Sequence, residues 1–478
     1  MPTSLPHPAP EPSSRSHLDT EAILPLLVRF SLPAIVGMLV NALYNIINRV
    51  FVGRTVGALG IAAISINFPI VLMMMASSVI VGVGANALFA IRMGEGRREQ
   101  AEKVFGNAAL LLFALPLVLS IGVALFIDPL LLAIGASGET LPMAREYTLI
   151  VLLGAPFGSF SMGMTHFIRT DGHPRTAMSS QILGALINIA LDGLFVLGMD
   201  KGIAGAAWAT VIAQVVTTLY VLSYFLSRRA TVKLRRKNLR LDLSQIVLPF
   251  LFLGLPHCAM QIASSFINTV LNRSLLQYGG NLAVSTIGIV MSANTILIMP
   301  LLGVAQGAQP ILGFNFGARR FERVVATFRY ACIAVTAYGL LTWALSLGFA
   351  PAIVRVFSKD DAELIALASQ ALPIFNFMLP VIGFQIITST LFQSIGQPMK
   401  ALLMSLSRQV IVLLPLLFVL PRLFGLDGIY ASFPSSDLLS AMLAAALGWR
   451  EVRRLRAGKV SFTLGLPASP KEASATSH

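Results

Sequence analysis

Charge is what this chain lacks most. Asp, Glu, Lys and Arg together make up 12% of its 478 residues, about half the share found in soluble domains. A soluble fold of this size could not cover its surface with so few. Cysteine is scarce as well. Cys258 and Cys332 both lie inside apolar segments, without metal-ligand or redox spacing, and read as inert core residues. The six histidines are dispersed and form no zinc-type cluster. There is no G-x-x-x-x-G-K-[ST] phosphate loop and no H-E-x-x-H pair, so the residues for ATP hydrolysis or zinc-protease chemistry are missing. No converging catalytic set suggests an enzyme, and no cofactor is expected. Residues 1 to 22 carry five prolines and no apolar run, so they lack the core of a secretory signal peptide. They read as part of a disordered cytoplasmic tail over 1–24.

What is present is apolar length. Hydrophobic residues amount to 56% and the mean hydropathy is +0.79, with runs that repeatedly reach the ~20 residues a helix needs to cross a bilayer. A transmembrane β-barrel is excluded, because its strands would alternate apolar and polar over ~10 residues. The runs are 25 to 51, 61 to 90, 104 to 127, 142 to 168, 175 to 198, 203 to 226, 246 to 272, 282 to 312, 326 to 349, 364 to 392, 400 to 420 and 428 to 448. The expected fold is therefore an all-α membrane protein with twelve transmembrane helices. Prolines deep inside several runs, Pro33, Pro69, Pro116, Pro156, Pro256, Pro300, Pro380 and Pro415 among them, predict kinked helices around a polar cavity.

The net charge of +14 would point to nucleic acid in a soluble protein, but here the basic residues sit in the gaps between apolar runs. With the N-terminus inside, the inner segments hold 27 of the 35 Lys and Arg, which predicts cytoplasmic N- and C-termini in a plasma (inner) membrane protein. Seven of these charges lie between Arg228 and Arg240. They divide the chain into an N-terminal six-helix bundle (25–226), a basic linker (227–245), a C-terminal six-helix bundle (246–448) and a basic tail (449–478). The linker could bind anionic headgroups or simply tether the bundles. Sliding the first half forward by 223 positions lays Leu32-Pro33 on Leu255-Pro256, Asn45 on Asn268, Gly84 on Gly307, Gly94 on Gly317, Arg97 on Arg320 and Glu99 on Glu322. Such an internal repeat, with both halves entering from one side, predicts two pseudo-symmetric bundles related by an axis along the membrane normal, as in secondary transporters.

Polar side chains at membrane depth are costly and tend to face a cavity or a partner. Acids are nearly absent there. Asp192 in the fifth run follows Asn188 by four residues and shares its helix face, with Gln181 further along the stripe. Loss of hydration brings proton exchange of a carboxylate toward physiological pH, so Asp192 could couple transport by holding a proton or a cation; it could also only accept hydrogen bonds that lock packing. For Asp437, beside Pro434, Ser435 and Ser436, the packing role is the stronger of the same two. Asn41, Asn45 and Asn48 form a stripe in the first run. Gln261 and Asn268 in the seventh, with Asn294, Gln306 and Gln309 in the eighth, extend the polar lining, although interhelical hydrogen bonding would explain many of these amides.

Together the stretches Leu43-Tyr44-Asn45-Ile46-Ile47-Asn48-Arg49-Val50-Phe51-Val52-Gly53-Arg54, Asn188-Ile189-Ala190-Leu191-Asp192, Gly205-Ala206-Ala207, Gln306-Gly307-Ala308-Gln309-Pro310-Ile311-Leu312-Gly313-Phe314-Asn315-Phe316-Gly317-Ala318 and Phe433-Pro434-Ser435-Ser436-Asp437 resemble the multidrug and toxic compound extrusion (MATE) family, closest to its MepA-like branch. The resemblance covers nearly all of residues 20 to 450, and Gln306 to Ala318 is its most specific stretch. It implies two six-helix bundles forming a cleft, alternating access, and export of cationic or amphipathic xenobiotics in exchange for H⁺ or Na⁺ by a monomer in the bilayer. Many relatives carry an ion-coupling aspartate in the first span where this chain has Asn48, which cannot titrate. The carried-over coupling role therefore falls on Asp192. The rival expectation is a flippase for lipid-linked or amphiphilic substrates, which would want a cavity dominated by Arg and Lys.

Overall fold

The computed structural model describes residues 17–55, 57–235, 238–357 and 361–459. Among them there is no strand, and nine helical stretches are long and apolar enough to cross a membrane. The first six are α1 (Ile23–Thr55), α2 (Gly57–Gly94), α3 (Arg98–Leu125), α4 (Leu141–Thr170), α5 (Pro174–Asp192, prolonged by a π-helical turn Gly193–Gly198) and α6 (Gly202–Leu226). The stretch Leu248–Gly317 is far too long for one span and breaks at Gly280, where φ is +65°, a conformation that glycine adopts without a Cβ penalty. Its two limbs, α7 (248–279) and α8 (281–317), fold back on one another, with Leu271 and Leu275 packed in one core with Ala283 and Ile287. After α9 (Phe321–Arg355) comes a pair bent by 45°, Ala362–Asn376 with Leu379–Ser394, which together form α10. The last stretch, Pro398–Arg456, breaks at Gly425 with φ +60° into α11 (398–424) and α12 (426–456). Among the described residues the count is twelve spans, as the apolar runs predict.

Four large cores reveal how the bundles meet. At the end bearing the basic loops, the lower half of α1 (Leu26, Leu27 and Phe30) is packed with α8, α9 and α10 in one cluster. Conversely, the start of α7 (Phe250 and Leu253) and Val247 just before it are packed with α2, α3, α4 and α6. The first helix of each half thus begins inside the other half's core, which a division of the chain at its linker does not anticipate. At the opposite end the cores separate. One contains residues only from the first half of the chain, the other only from the second. The bundles are consequently joined at the basic end and part toward the other, leaving a cleft.

The repeat offset appears physically in the joint. A β-carbon on Gly84 would fall 2.6 Å from Gly254 N, and one on Gly307 would fall 2.7 Å from Ser31 Cα. Those are equivalent contacts 223 residues apart. In the same way, a β-carbon on Gly94 would fall 2.8 Å from Phe314 C, and one on Gly317 would fall 2.9 Å from Ile91 C. Real β-carbons do not approach so closely, so glycine at these positions is what lets the backbones of opposite bundles touch.

Several expectations need correction. Of the tail over 1–24, residues 1–16 lie outside the described residues, but His17–Thr20 is a helical turn. Leu18 is buried, and Asp19 pairs with Arg320 at 2.9 Å. Arg323 reinforces the clasp by donating to Leu18 O and Glu21 O. The linker is also held: Ala230 and Val232 enter the first bundle's core, and Asp171 Oδ2 accepts from Tyr224 Oη and Thr231 N. Arg169 and Arg408, two of the 27 basic residues assigned to inner segments, have side chains turned into the protein. They do not act as interfacial anchors.

Candidate functional site

Asp192 is the acid to build from. It ends the α-helical part of α5, where the backbone passes into the π turn Gly193–Gly198, a distortion frequent at functional sites. Its side chain is 1% exposed. The i, i+4 spacing read from sequence places Asn188 beside it. With its amide turned so that each atom meets a complementary partner, Asn188 Nδ2 donates to Asp192 Oδ2 at 3.0 Å, while its oxygen accepts from N–H and Oγ1 of Thr210 on α6, both at 3.3 Å. Thr210 Oγ1 also bonds the carbonyl of Ala206. Asp192 Oδ1 is buried with no hydrogen-bond partner. Tyr44 of α1 and Tyr147 of α4 lie within electrostatic range of the carboxylate, so four helices of the first bundle converge on one acid. Thr210, Tyr44 and Tyr147 were missed from sequence, because helical spacing relates residues along one helix and says nothing of the register between two.

This carboxylate is inside the first bundle rather than on the wall of the cleft. A group on which one buried oxygen is unpartnered accepts a proton without demanding space, and a buried polar atom left so is otherwise expensive. A bulky cation would have to displace α1 or α6 to reach it.

The remaining predicted residues divide by location. Asn41 and Asn48 lie on α1, Asn41 exposed and Asn48 half-buried; the side chain of Asn45 lies outside the described residues. On α7, Gln261 is half-buried and Asn268 exposed, and amides exposed at this depth face the cleft more cheaply than lipid. Gln306 reaches across to α1, donating to Met38 Sδ at 3.4 Å. Gln309 donates to Gln393 Oε1 at 3.5 Å, and Asn294 Oδ1 is buried without a partner. Gln181 is not part of the Asp192 group. It joins Arg169 and the carbonyl of Gly37 instead. Asp437 lies in the other bundle, where it accepts from Arg408 Nε at 2.6 Å while neighbouring Ser436 donates to Arg408 O at 2.6 Å. It pins the α11–α12 hairpin. Cys258 and Cys332 are both free and half-buried.

The MatE family model matches twice, over residues 33–194 and 256–419, and its two starting points differ by the repeat offset. This chain belongs to the MatE family. One match falls on α1 to α5 and the other on α7 to α11, and the chain is a multi-pass membrane transporter of the multidrug-efflux kind. Multidrug export protein MepA of Staphylococcus haemolyticus is 26% identical over 446 residues, covering 93% of this chain and 98% of that protein. Its counterpart in Staphylococcus aureus is 26% identical over 428 residues, covering 90% and 94%. Among solved structures, an outward-facing multidrug resistance MATE family transporter of the MOP superfamily superposes with a TM-score of 0.87 at 26% identity, covering 93% and 99% of the two chains. A MOP superfamily transporter from Pyrococcus furiosus, described as having a binding pocket of reverse polarity, gives 0.86 at 26% identity with the same coverage. The cleft seen here, open away from the basic loops, belongs with such MatE architectures.

Proposed function

We propose that this MatE protein exports cationic or amphipathic compounds across the plasma membrane by alternating access, as a monomer, driven by exchange of protons at Asp192, with both termini in the cytoplasm. The unpartnered, buried Oδ1 of Asp192 carries the reading. In this reading the acid is ionised in one orientation of the cleft and protonated in the other. Protonation removes a charge among Tyr44, Tyr147, Asn188 and Thr210, and α1 feels the change because it carries Tyr44. Cargo and proton then compete through the position of α1 rather than for one atom, and that competition makes the coupling reciprocal. One charge crossing 100 mV is worth about 2.3 kcal/mol, so a proton gradient sustains accumulation without ATP. The basic loops lie on the cytoplasmic side in this scheme, and the cleft seen here opens outward.

The polar amides of α1, α7 and α8 would line the pathway, and the absence of a second acid at Asn48 favours a proton over Na⁺, which prefers a cage of several oxygens. The test is ethidium movement into proteoliposomes under an imposed pH gradient or an imposed Na⁺ gradient. The expected result is transport driven by the pH gradient alone and lost in Asp192→Asn. Transport by Asp192→Asn at the native rate, or transport driven by Na⁺ without a pH gradient, would refute proton coupling at this residue. Lipid flipping becomes the next assay if neither gradient moves the dye.

A further inference from the structure

The end of α12 carries a basic surface that the transport scheme leaves unused. Its two faces differ sharply. Ala444, Gly448, Glu451 and Leu455 are buried, and Ala444 and Leu455 belong to the core of the basic end. Glu451, 2% exposed, is fully engaged there, accepting from Gln397 Nε2 at 2.7 Å and Lys400 Nζ at 2.6 Å. The opposite face carries Leu439, Met442, Ala446, Trp449 and Arg453, all exposed, at the spacing of three and four that makes one stripe. Arg450 and Arg454 flank it, and Lys459 follows the last turn. These cations, with Ala446, Trp449 and Ala457, line one open hollow. At this end the bundles are joined, so the exposed face is outer surface and not a wall of the cleft.

Ordinary topology accounts for these charges but not for their arrangement. A cation near a helix C-terminus meets the last carbonyls favourably, and an arginine anywhere on an inner segment satisfies the orientation rule. Here the Arg453 guanidinium lies 3.6 Å from the centre of the Trp449 ring, which holds its planar donors in one place. Arg450, Arg453 and Arg454 have no carboxylate within ion-pair distance among the described residues, so the surface lacks a counter-charge of its own. The stripe also says what kind of anion fits. From Leu439 to Trp449 it runs ten residues, about 15 Å, which is half of a ~30 Å hydrocarbon core. An acyl chain of one leaflet can therefore lie along Leu439, Met442 and Ala446 with its phosphate at the level of Trp449, where indole rings sit at a membrane surface. A soluble anion has no use for the apolar half.

We infer that the end of α12 is a docking site for an anionic phospholipid of the leaflet on the side of the basic loops, with Arg450 and Arg453 on the headgroup phosphate, Arg454 and Lys459 beside it, and the tail along the stripe. Charge complementarity, joined to an apolar track one leaflet long, selects this occupant. The site is independent of which compound is carried and of how transport is driven.

The test uses the tryptophan itself. The full chain with Trp208→Phe and Trp343→Phe, which leaves Trp449 as its one indole, is placed in phosphatidylcholine vesicles holding an equal, minor share of either dibrominated phosphatidylglycerol or dibrominated phosphatidylcholine. Bromine on an acyl chain quenches an indole that it touches. Phosphatidylglycerol should quench with an apparent affinity about fivefold or more above that of phosphatidylcholine. Arg450→Gln with Arg453→Gln should bring the two within about twofold, while quenching by phosphatidylcholine stays at its native level and shows that the variant is folded. Arg453→Lys keeps the charge but loses the planar fork, and should lower the preference part-way. Arg228→Gln with Arg229→Gln removes the same charge just after Leu226, the equivalent of Trp449 by the repeat offset, but past the helix end; it should leave the preference unchanged. Equal quenching by the two lipids in the starting chain, the result expected if residues 460–478 cover the hollow, would overturn the inference. So would a preference that survives loss of Arg450 and Arg453, or one that falls equally on loss of Arg228 and Arg229, since that marks attraction spread over the whole basic surface. Should the Arg450 and Arg453 variant lose quenching by both lipids, Arg453→Lys decides: an unchanged preference overturns it. No gradient is used, so a failure of proton coupling at Asp192 leaves the result legible.

Discussion

Substitution of Gly84 by valine would strike the joint that closes the basic end of the cleft. The added β-carbon would lie 2.6 Å from Gly254 N and 3.0 Å from Gly254 Cα. Both are backbone atoms of another helix, so no side chain can swing aside. Overpacking of this kind costs about 1–3 kcal/mol, and the cost applies only while the bundles touch; the change in helix propensity is common to both orientations of the cleft and cancels. At the middle of that range, about 2 kcal/mol, the balance shifts about 30-fold, so an ensemble held closed here by about 100 to 1 would fall to about 3 to 1. Spin labels at Glu99→Cys and Glu322→Cys, exposed in the first turns of α3 and α9, would report the separation of the bundles by pulsed electron resonance, with Cys258 and Cys332 replaced by alanine. The native background should give one short distance, and Gly84→Val should add a longer one. Because Gly307 makes the equivalent approach to Ser31, Gly307→Val should have an effect of the same size. Gly122→Ala, where a β-carbon meets nothing within 4 Å, should do nothing. An unchanged distribution in both valine variants, or a shift in one alone, would refute the reasoning from the repeat.

Two further perturbations test the polar links of the fold, alongside the loss of coupled transport expected for Asp192→Asn. Arg408→Met should lower thermal stability in detergent by about 3–5 kcal/mol, since it strands Asp437, 4% exposed, without its partner. Arg408→Met with Asp437→Leu should regain most of the loss, and a single variant as stable as the double would show that the pair is not buried in effect. Tyr224→Phe removes one of the two donors to Asp171 Oδ2; trypsin should then cut the linker several-fold faster between Arg228 and Arg240, and an unchanged cleavage rate would mean that the core contacts of Ala230 and Val232 suffice.

The sequence was most legible where one physical constraint acts along the chain. Apolar length fixes the spans, and the helical period puts Asn188 on the same face as Asp192, where the structure finds them bonded. The repeat offset was legible too, but only as an alignment; that Gly84 and Gly307 are the places where backbones of opposite bundles meet needed three dimensions. What could not be read depends on pairs of helices. The partners of Asp192 on α1, α4 and α6 depend on helix rotation. Arg169 shows a different limit. A basic residue at the end of an apolar run is ordinarily an interfacial anchor, and only the placement of Gln181 and His166 shows that its flexible side chain turns inward. The exchange of α1 and α7 between cores was hidden because apolar periodicity identifies a buried face without saying which neighbour buries it.

That exchange bears on how the protein is made. While only the first six helices have left the ribosome, the core that needs Phe250 and Leu253 is incomplete, and the lower half of α1 has nothing to lie against until α8, α9 and α10 arrive. Neither half is a finished folding unit at the linker. Insertion into the bilayer can proceed helix by helix, but final packing of the earliest helix waits for the later ones, so this transporter matures as one piece and its most exposed period is the interval before the second half is synthesised.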